Sequence, residues 1–176
     1  MTTDPNADRR RIWRLDPPRI AAVDPGACAA LALSELEDDG LRFIGVYPVA
    51  GDDAHQVLEA LKRTRPDKVI LETQFMGARV TFAQIRTLYR RIDNWAVICD
   101  LMGIPVEEVF PASWQAQVRG IKGKDKRDTR MAKYTEAAGV FLAERGMLAD
   151  KALGPDEAAA VEILRFYWRC RGVRWV

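Results

Sequence analysis

Short apolar runs closed by turn residues fill the first half of the chain, and runs of helical period fill the second. Arg19-Ile-Ala-Ala-Val-Asp24 is a compact apolar run halted by Pro25-Gly26, the pattern of a buried strand. Ala27–Leu36 is a second apolar run, Glu37–Gly40 an acidic turn and Leu41–Val49 a third run. Two such runs around a glycine-containing turn predict a hairpin. From Asp52 to Arg65 the period changes: Val57, Leu58 and Leu61 recur at helical spacing, Asp52 or Asp53 can cap the start, and Pro66 stops the helix. Asp67–Leu71 reads as a fourth strand ending at Glu72, and Thr73–Val80 as an irregular connection. Helical period then runs from Thr81 to Met102 through Phe82, Ile85, Leu88, Tyr89, Ile92 and Val97, with Gly103 suited to the C-terminus. Pro105–Phe110 is a short fifth strand, and Pro111–Val118 a short helix starting at Ala112 or Ser113. Gly120–Lys126 is a mobile basic loop, Arg127 to about Arg145 a helix with Met131, Tyr134, Ala138 and Phe141 on related faces, and Pro155 opens a last helix that runs to about Arg169. This order predicts an α/β fold with a central mixed five-stranded sheet flanked by helices.

At 176 residues the prior is one domain, large enough to bury a core without disulfides or a structural metal. Residues 1–17 read as a flexible basic arm carrying Arg9, Arg10, Arg11 and Arg14, and residues 18–176 as a single domain. Net charge is only +2, so a nucleic-acid partner has to be argued from where the charges lie. Of the three cysteines, Cys28 and Cys99 fall in apolar runs and are expected as buried free thiols. There is no C-x-x-C pair and His55 is the only histidine, which argues against a zinc site. A reducing cytoplasm is the expected location, since the arm lacks the apolar core of a signal peptide and no apolar stretch has membrane-spanning length.

Three acidic positions stand out by placement. Asp24 ends the first strand, Glu72 ends the fourth, and Asp156 opens the last helix beside Glu157. A central first strand paired in parallel with the fourth would bring Asp24 and Glu72 side by side at the C-terminal edge of the sheet, where ligand sites of open α/β sheets collect. Carboxylates gathered from distant segments repel one another unless a cation neutralises them, and an all-oxygen set suits Mg²⁺ or Mn²⁺. Taken singly, Asp24 is an ordinary Asp-Pro-Gly turn residue, Glu72 a solvated strand end and Asp156 a dipole-favoured helix start.

These segments resemble a known family. Ile20-Ala-Ala-Val-Asp24-Pro-Gly26 resembles the first-strand motif of RuvC-type Holliday-junction resolvases in the RNase H-like superfamily. Val69-Ile-Leu-Glu72-Thr-Gln-Phe75-Met76 is similar to their fourth-strand motif, and Pro155-Asp156-Glu157 through Leu164 to their final acidic helix. Val109-Phe-Pro111-Ala-Ser-Trp114 with the following Gly/Lys-rich loop resembles RuvC-like proteins of the phage and prophage branch. The resemblance implies an RNase H-like fold, a homodimer, and two divalent metals, Mg²⁺ or Mn²⁺, held by four carboxylates. It implies an endonuclease of DNA recombination and repair that cuts four-way junctions, with no small-molecule cofactor. The family's last helix carries two acids three residues apart, whereas here Ala159 stands three after Asp156. Either the second acid is absent, or Glu157 takes its place.

Candidate DNA-binding residues are Lys122, Lys124, Lys126 and Arg127 around the glycine loop, Arg79, and Phe75, which could stack on a base; solvated surface and core packing are the plainer alternatives. Trp114 reads as core or dimer surface. Competing readings are a nuclease of structured RNA and a catalytically silent nucleic-acid-binding relative. An actin-like sugar or acetate kinase is disfavoured, because the chain is too short for two lobes and has no P-loop.

Overall fold

A computed structural model of the chain describes residues 18–26, 28–49, 53–73, 81–147 and 153–175. The expected N-terminal arm, Phe75 and Arg79 lie outside the described residues. The elements are β1 (Arg19–Asp24), β2 (Ala30–Glu37), β3 (Gly40–Pro48), α1 (Ala54–Thr64), β4 (Lys68–Glu72), α2 (Phe82–Leu101), β5 (Val106–Val109), α3 (Pro111–Gln115), α4 (Arg127–Ala143) and α5 (Pro155–Cys170). They form the expected mixed sheet, in the order β3-β2-β1-β4-β5, with β1 in the middle. The hairpin runs β1, β2 and β3 antiparallel, while β1, β4 and β5 are parallel.

Alternation along the strands sends apolar residues to both faces, which makes a three-layer molecule. Ile20, Ala22, Ala32, Phe43 and Ile70 meet α3, α4 and α5 on one face. Ala21, Val23, Leu31, Leu33, Val69 and Leu71 meet α1 and α2 on the other. α5 lies close against the sheet because its first turns offer Ala158, Ala159 and Ala160. Its far end is tied to β2 by Trp168, whose Nε1 donates to Ser34 Oγ at 2.9 Å.

Local signals account for the helix starts. Asp53, of the two candidate caps, accepts from the Gln56 amide at 2.9 Å, and Thr81 with Gln84 forms a capping box at α2. Three expectations need correction. β2 begins at Ala30 rather than Ala27, and Cys28 is exposed in the preceding turn, not buried. The buried side of α2 is Ile92, Trp95 and Cys99, whereas Phe82, Tyr89 and Val97 face outward. Two apolar stripes share that helix, and periodicity alone cannot say which one meets the sheet. Within the basic loop Asp125 accepts from the Lys122 amide at 2.8 Å and from Lys133 Nζ at 2.6 Å. Among the described residues no helix is long and apolar enough to cross a membrane.

Candidate active site

The period of two along a strand decides where the acids point. Ile20 and Ala22 of β1 face the α5 layer, so Asp24, two residues further, faces it as well; Glu72 follows Ile70 in the same way on β4. The parallel register pairs Val23 with Leu71, which puts Asp24 and Glu72 level at the carboxyl end of the sheet, on strands about 4.8 Å apart. α5 runs over this face with its N-terminus at the same end, bringing Asp156 in from above. All three line one cleft of about 860 Å³ whose walls come from α2, α3 and α4.

The turn after β1 shapes the floor. Asp24 Oδ1 accepts from the Gly26 amide at 3.0 Å, and Asp156 Oδ2 accepts from the Cys28 amide at 3.0 Å. A Cβ on Gly26 would stand 3.0 Å from the Asp156 carboxyl group, so this position has no room for a side chain unless Asp156 moves. Glu72 is oriented from the other side by Trp114, whose Nε1 donates to Glu72 Oε1 at 2.7 Å. Tyr134 of α4 packs edge-on against that indole, with ring centroids 5.3 Å apart.

Burial and mutual repulsion set the electrostatics. Asp24 is held well above the usual carboxylate range, first by burial and then by the negative charges of Glu72 and Asp156. Glu72 is pushed up to about 7 by burial and by Asp156, against the opposing hydrogen bond from Trp114. Tyr134 is raised to about 12 by burial and by the same three carboxylates. Among the described residues no lysine or arginine is one of the groups that set the ionisation of Asp24 or Glu72, so none of them acts as a counterion to this pair. Such an oxygen-only donor set fits a hard divalent cation. Among the described residues no group of three or more acidic, histidine or cysteine side chains stands at ligating geometry, so the carboxylates do not form a ready-made coordination shell.

Glu157 is not brought to this cluster. Its Oε2 accepts from the Gly154 amide at 2.6 Å, closing the start of α5, and the residue does not line the cleft. Ala159, one turn beyond Asp156, does line it. Of the basic residues, Arg127 reaches the cleft wall beside Arg130, with Arg91 on the α2 side. Lys122, Lys124 and Lys126 are exposed on the adjoining loop. Sequence reasoning missed one part of the site, the hydrogen bond from Trp114 to Glu72. The one available signal for Trp114 was a polar ring edge in a segment that also had to be buried, since a buried indole N–H needs an acceptor.

No protein-family model matches the chain, and no curated protein sequence matches it. Solved structures do. Thermus thermophilus RuvC in complex with a Holliday junction substrate is 19% identical with a TM-score of 0.58, over 89% of this chain and 98% of that one. The fowlpox virus Holliday junction resolvase is 16% identical with a TM-score of 0.63, over 87% of this chain and 99% of that one. The yeast mitochondrial Holliday junction resolvase Ydc2 is 12% identical with a TM-score of 0.55, over 97% of this chain and 87% of that one. At these identities the likeness is one of architecture: the chain has the RNase H-like fold found in these resolvases.

Proposed function

We propose that the chain is a RuvC-type endonuclease that resolves four-way DNA junctions by symmetric, divalent-metal-dependent hydrolysis. The observation that carries this reading is the convergence of Asp24, Glu72 and Asp156, from three separate elements, on the floor of one cleft with arginines on its walls. Support for the substrate class comes from the structural neighbours, one of which, Thermus thermophilus RuvC, is a complex with a Holliday junction substrate.

In this reading Asp24, Glu72 and Asp156 would hold Mg²⁺ or Mn²⁺, two ions per site, and Ala159 would contribute no ligand. Such ions lower the pKa of an attacking water and stabilise the leaving oxygen. The remaining work falls to the chain. Trp114 fixes the direction of the Glu72 carboxylate, and the Gly26 and Cys28 amides fix those of Asp24 and Asp156. Arg127 and Arg130 stand where a phosphate backbone entering the cleft would pass. Glu157 keeps α5 capped rather than ligating metal.

The proposed assembly is a two-fold dimer, which supplies two sites for two symmetric cuts. Phe82, Tyr89, Val97 and Leu101 of α2 are exposed, and at 100° per residue they fall on one side of the helix, as a dimer contact requires.

Labelled four-way junction, linear duplex and hairpin RNA, each incubated with Mg²⁺ and with chelator, test the proposal. Paired nicks in the junction with Mg²⁺ alone are expected. Preferential cutting of the hairpin RNA, or junction binding without cutting, would contradict it.

A further inference from the structure

We propose a second ligand site, for a phosphate group, at the opposite end of α5 from the carboxylate cluster. A cavity of about 350 Å³ lies between the ends of α4 and α5 and the segment that follows, lined by Phe141, Arg145, Arg165, Arg169 and Trp175 among others. Asp156 stands in the first turn of α5 and Arg169 in the last, a rise of about 20 Å along the helix axis. The two sites therefore share no residue and rest on separate observations.

Arg145, Arg165 and Arg169 line this cavity against one acidic lining residue, Glu144, and Arg169 Nη1 also donates to the Gln117 carbonyl at 3.1 Å. Arg145 and Arg165 both stack on the Phe141 ring, at 3.8 and 4.7 Å from its centroid, and Arg145 also lies 5.7 Å from the Trp175 ring. Two cations on one ring repel each other at short range in a half-buried setting. Arg165 is partnered by the buried Glu162, but among the described residues Arg145 has only the exposed Glu144, at 3.8 Å, where water screens the pair. Arg145 Nη1 donates to the Phe141 carbonyl at 3.0 Å, while its Nε is buried with no hydrogen-bond partner. A buried charged donor left unmade is costly, and an anion against the part of Arg145 that lines the cavity would offset the uncompensated charge.

Phosphate fits better than carboxylate. A phosphate monoester brings about two negative charges and three strong acceptor oxygens, enough to serve more than one guanidinium at once. The cavity lies at the small end of the range for ligand pockets, roughly 300–1,000 Å³, and has an aromatic wall, so it admits a phosphate with a sugar or a base beside it.

Side-chain ¹H–¹⁵N spectra of the full chain read this directly. Inorganic phosphate, deoxyadenosine 5′-monophosphate and a short single-stranded DNA are titrated separately, in chelator so that the carboxylate cluster holds no metal. The Arg145 Nε–H signal, assigned by its loss in Arg145→Lys, should shift saturably with phosphate in the millimolar range. Arg169→Gln, a change at an exposed residue, should weaken that binding roughly tenfold, the weight of one charge-assisted hydrogen bond. Tighter binding of the nucleotide than of phosphate assigns the site to free nucleotides, and tighter binding still of the DNA assigns it to a nucleic-acid strand. A signal unmoved by all three, an equal response to acetate, or an unchanged affinity in Arg169→Gln overturns the proposal.

Discussion

Trp114 and Glu72 are joined by a 2.7 Å hydrogen bond inside the protein, with the indole donating to the carboxylate. The bond favours the ionised form of Glu72 and so opposes the burial that pushes this group up to about 7. Trp114→Phe keeps a ring against Tyr134 but removes the donor. Mg²⁺-dependent junction cutting should fall about tenfold near neutral pH, the weight of one charge-assisted hydrogen bond. The acid limb of the pH–rate profile should also move to higher pH, because Glu72 then ionises later. A lower rate with an unmoved acid limb would mean that Trp114 only fills space.

The carboxylate cluster should cost the metal-free protein stability. Glu72 ionises near its ordinary 4.5 when unfolded and at about 7 when folded. Folding therefore takes up a proton between those values, and stability falls as pH rises through that window. In chelator, Glu72→Gln should be more stable than the parent above pH 7, by on the order of 3 kcal/mol. The gain should vanish below pH 4.5. Asp24→Asn should act in the same direction. Denaturant melts at both ends of the range check this, and a variant no more stable than the parent at pH 8 contradicts it.

How far the sequence revealed this arrangement depended on which interaction fixed each part. Ile20–Asp24 and Val69–Glu72 are continuous apolar runs ending in an acid, and such runs show directly as buried parallel strands with acids at one edge. Asp156 was visible because Pro155 marks the start of α5. Glu157 was not separable from it by pattern, since both occupy a first turn where acids are favoured by the helix dipole. Only the amide of Gly154, which Glu157 accepts from, divides the two roles. The Trp114–Glu72 bond and the fit of Gly26 against Asp156 join residues 42 and 130 positions apart, and no local rule reports contacts of that range. The outward stripe of α2 was hidden for a related reason: a helix with two apolar faces has no single phase.

The basic loop should govern affinity rather than chemistry. Lys122, Lys124 and Lys126 are exposed, while Asp125 and Lys133 hold the loop's shape, so alanine at all three lysines should leave the fold intact. Junction binding should weaken, and the slope of log affinity against log salt should flatten by about 0.9 for each phosphate that the protein no longer neutralises. An unchanged slope would make these lysines ordinary solvated surface.

Light scattering should give twice the 19.8 kDa chain mass at micromolar concentration. Val97→Asp, on the exposed stripe of α2, should return the mass to that of one chain and abolish paired cutting. Full junction resolution by a strictly monomeric protein would contradict the dimer.

The central claim is that Asp24, Glu72 and Asp156 act together and Glu157 does not. Cleavage of a four-way junction in Mg²⁺ by Asp24→Asn, Glu72→Gln, Asp156→Asn and Glu157→Gln tests it in one assay, with junction binding and melting followed alongside. The first three should lose cutting while still binding the junction, because a ligand charge is removed and repulsion of DNA phosphate is relieved. Glu157→Gln should cut at a near-normal rate and lose at most stability, through its weakened cap at Gly154. Cutting that persists in Asp24→Asn or in chelator, or that disappears in Glu157→Gln while the protein stays folded, would contradict the account.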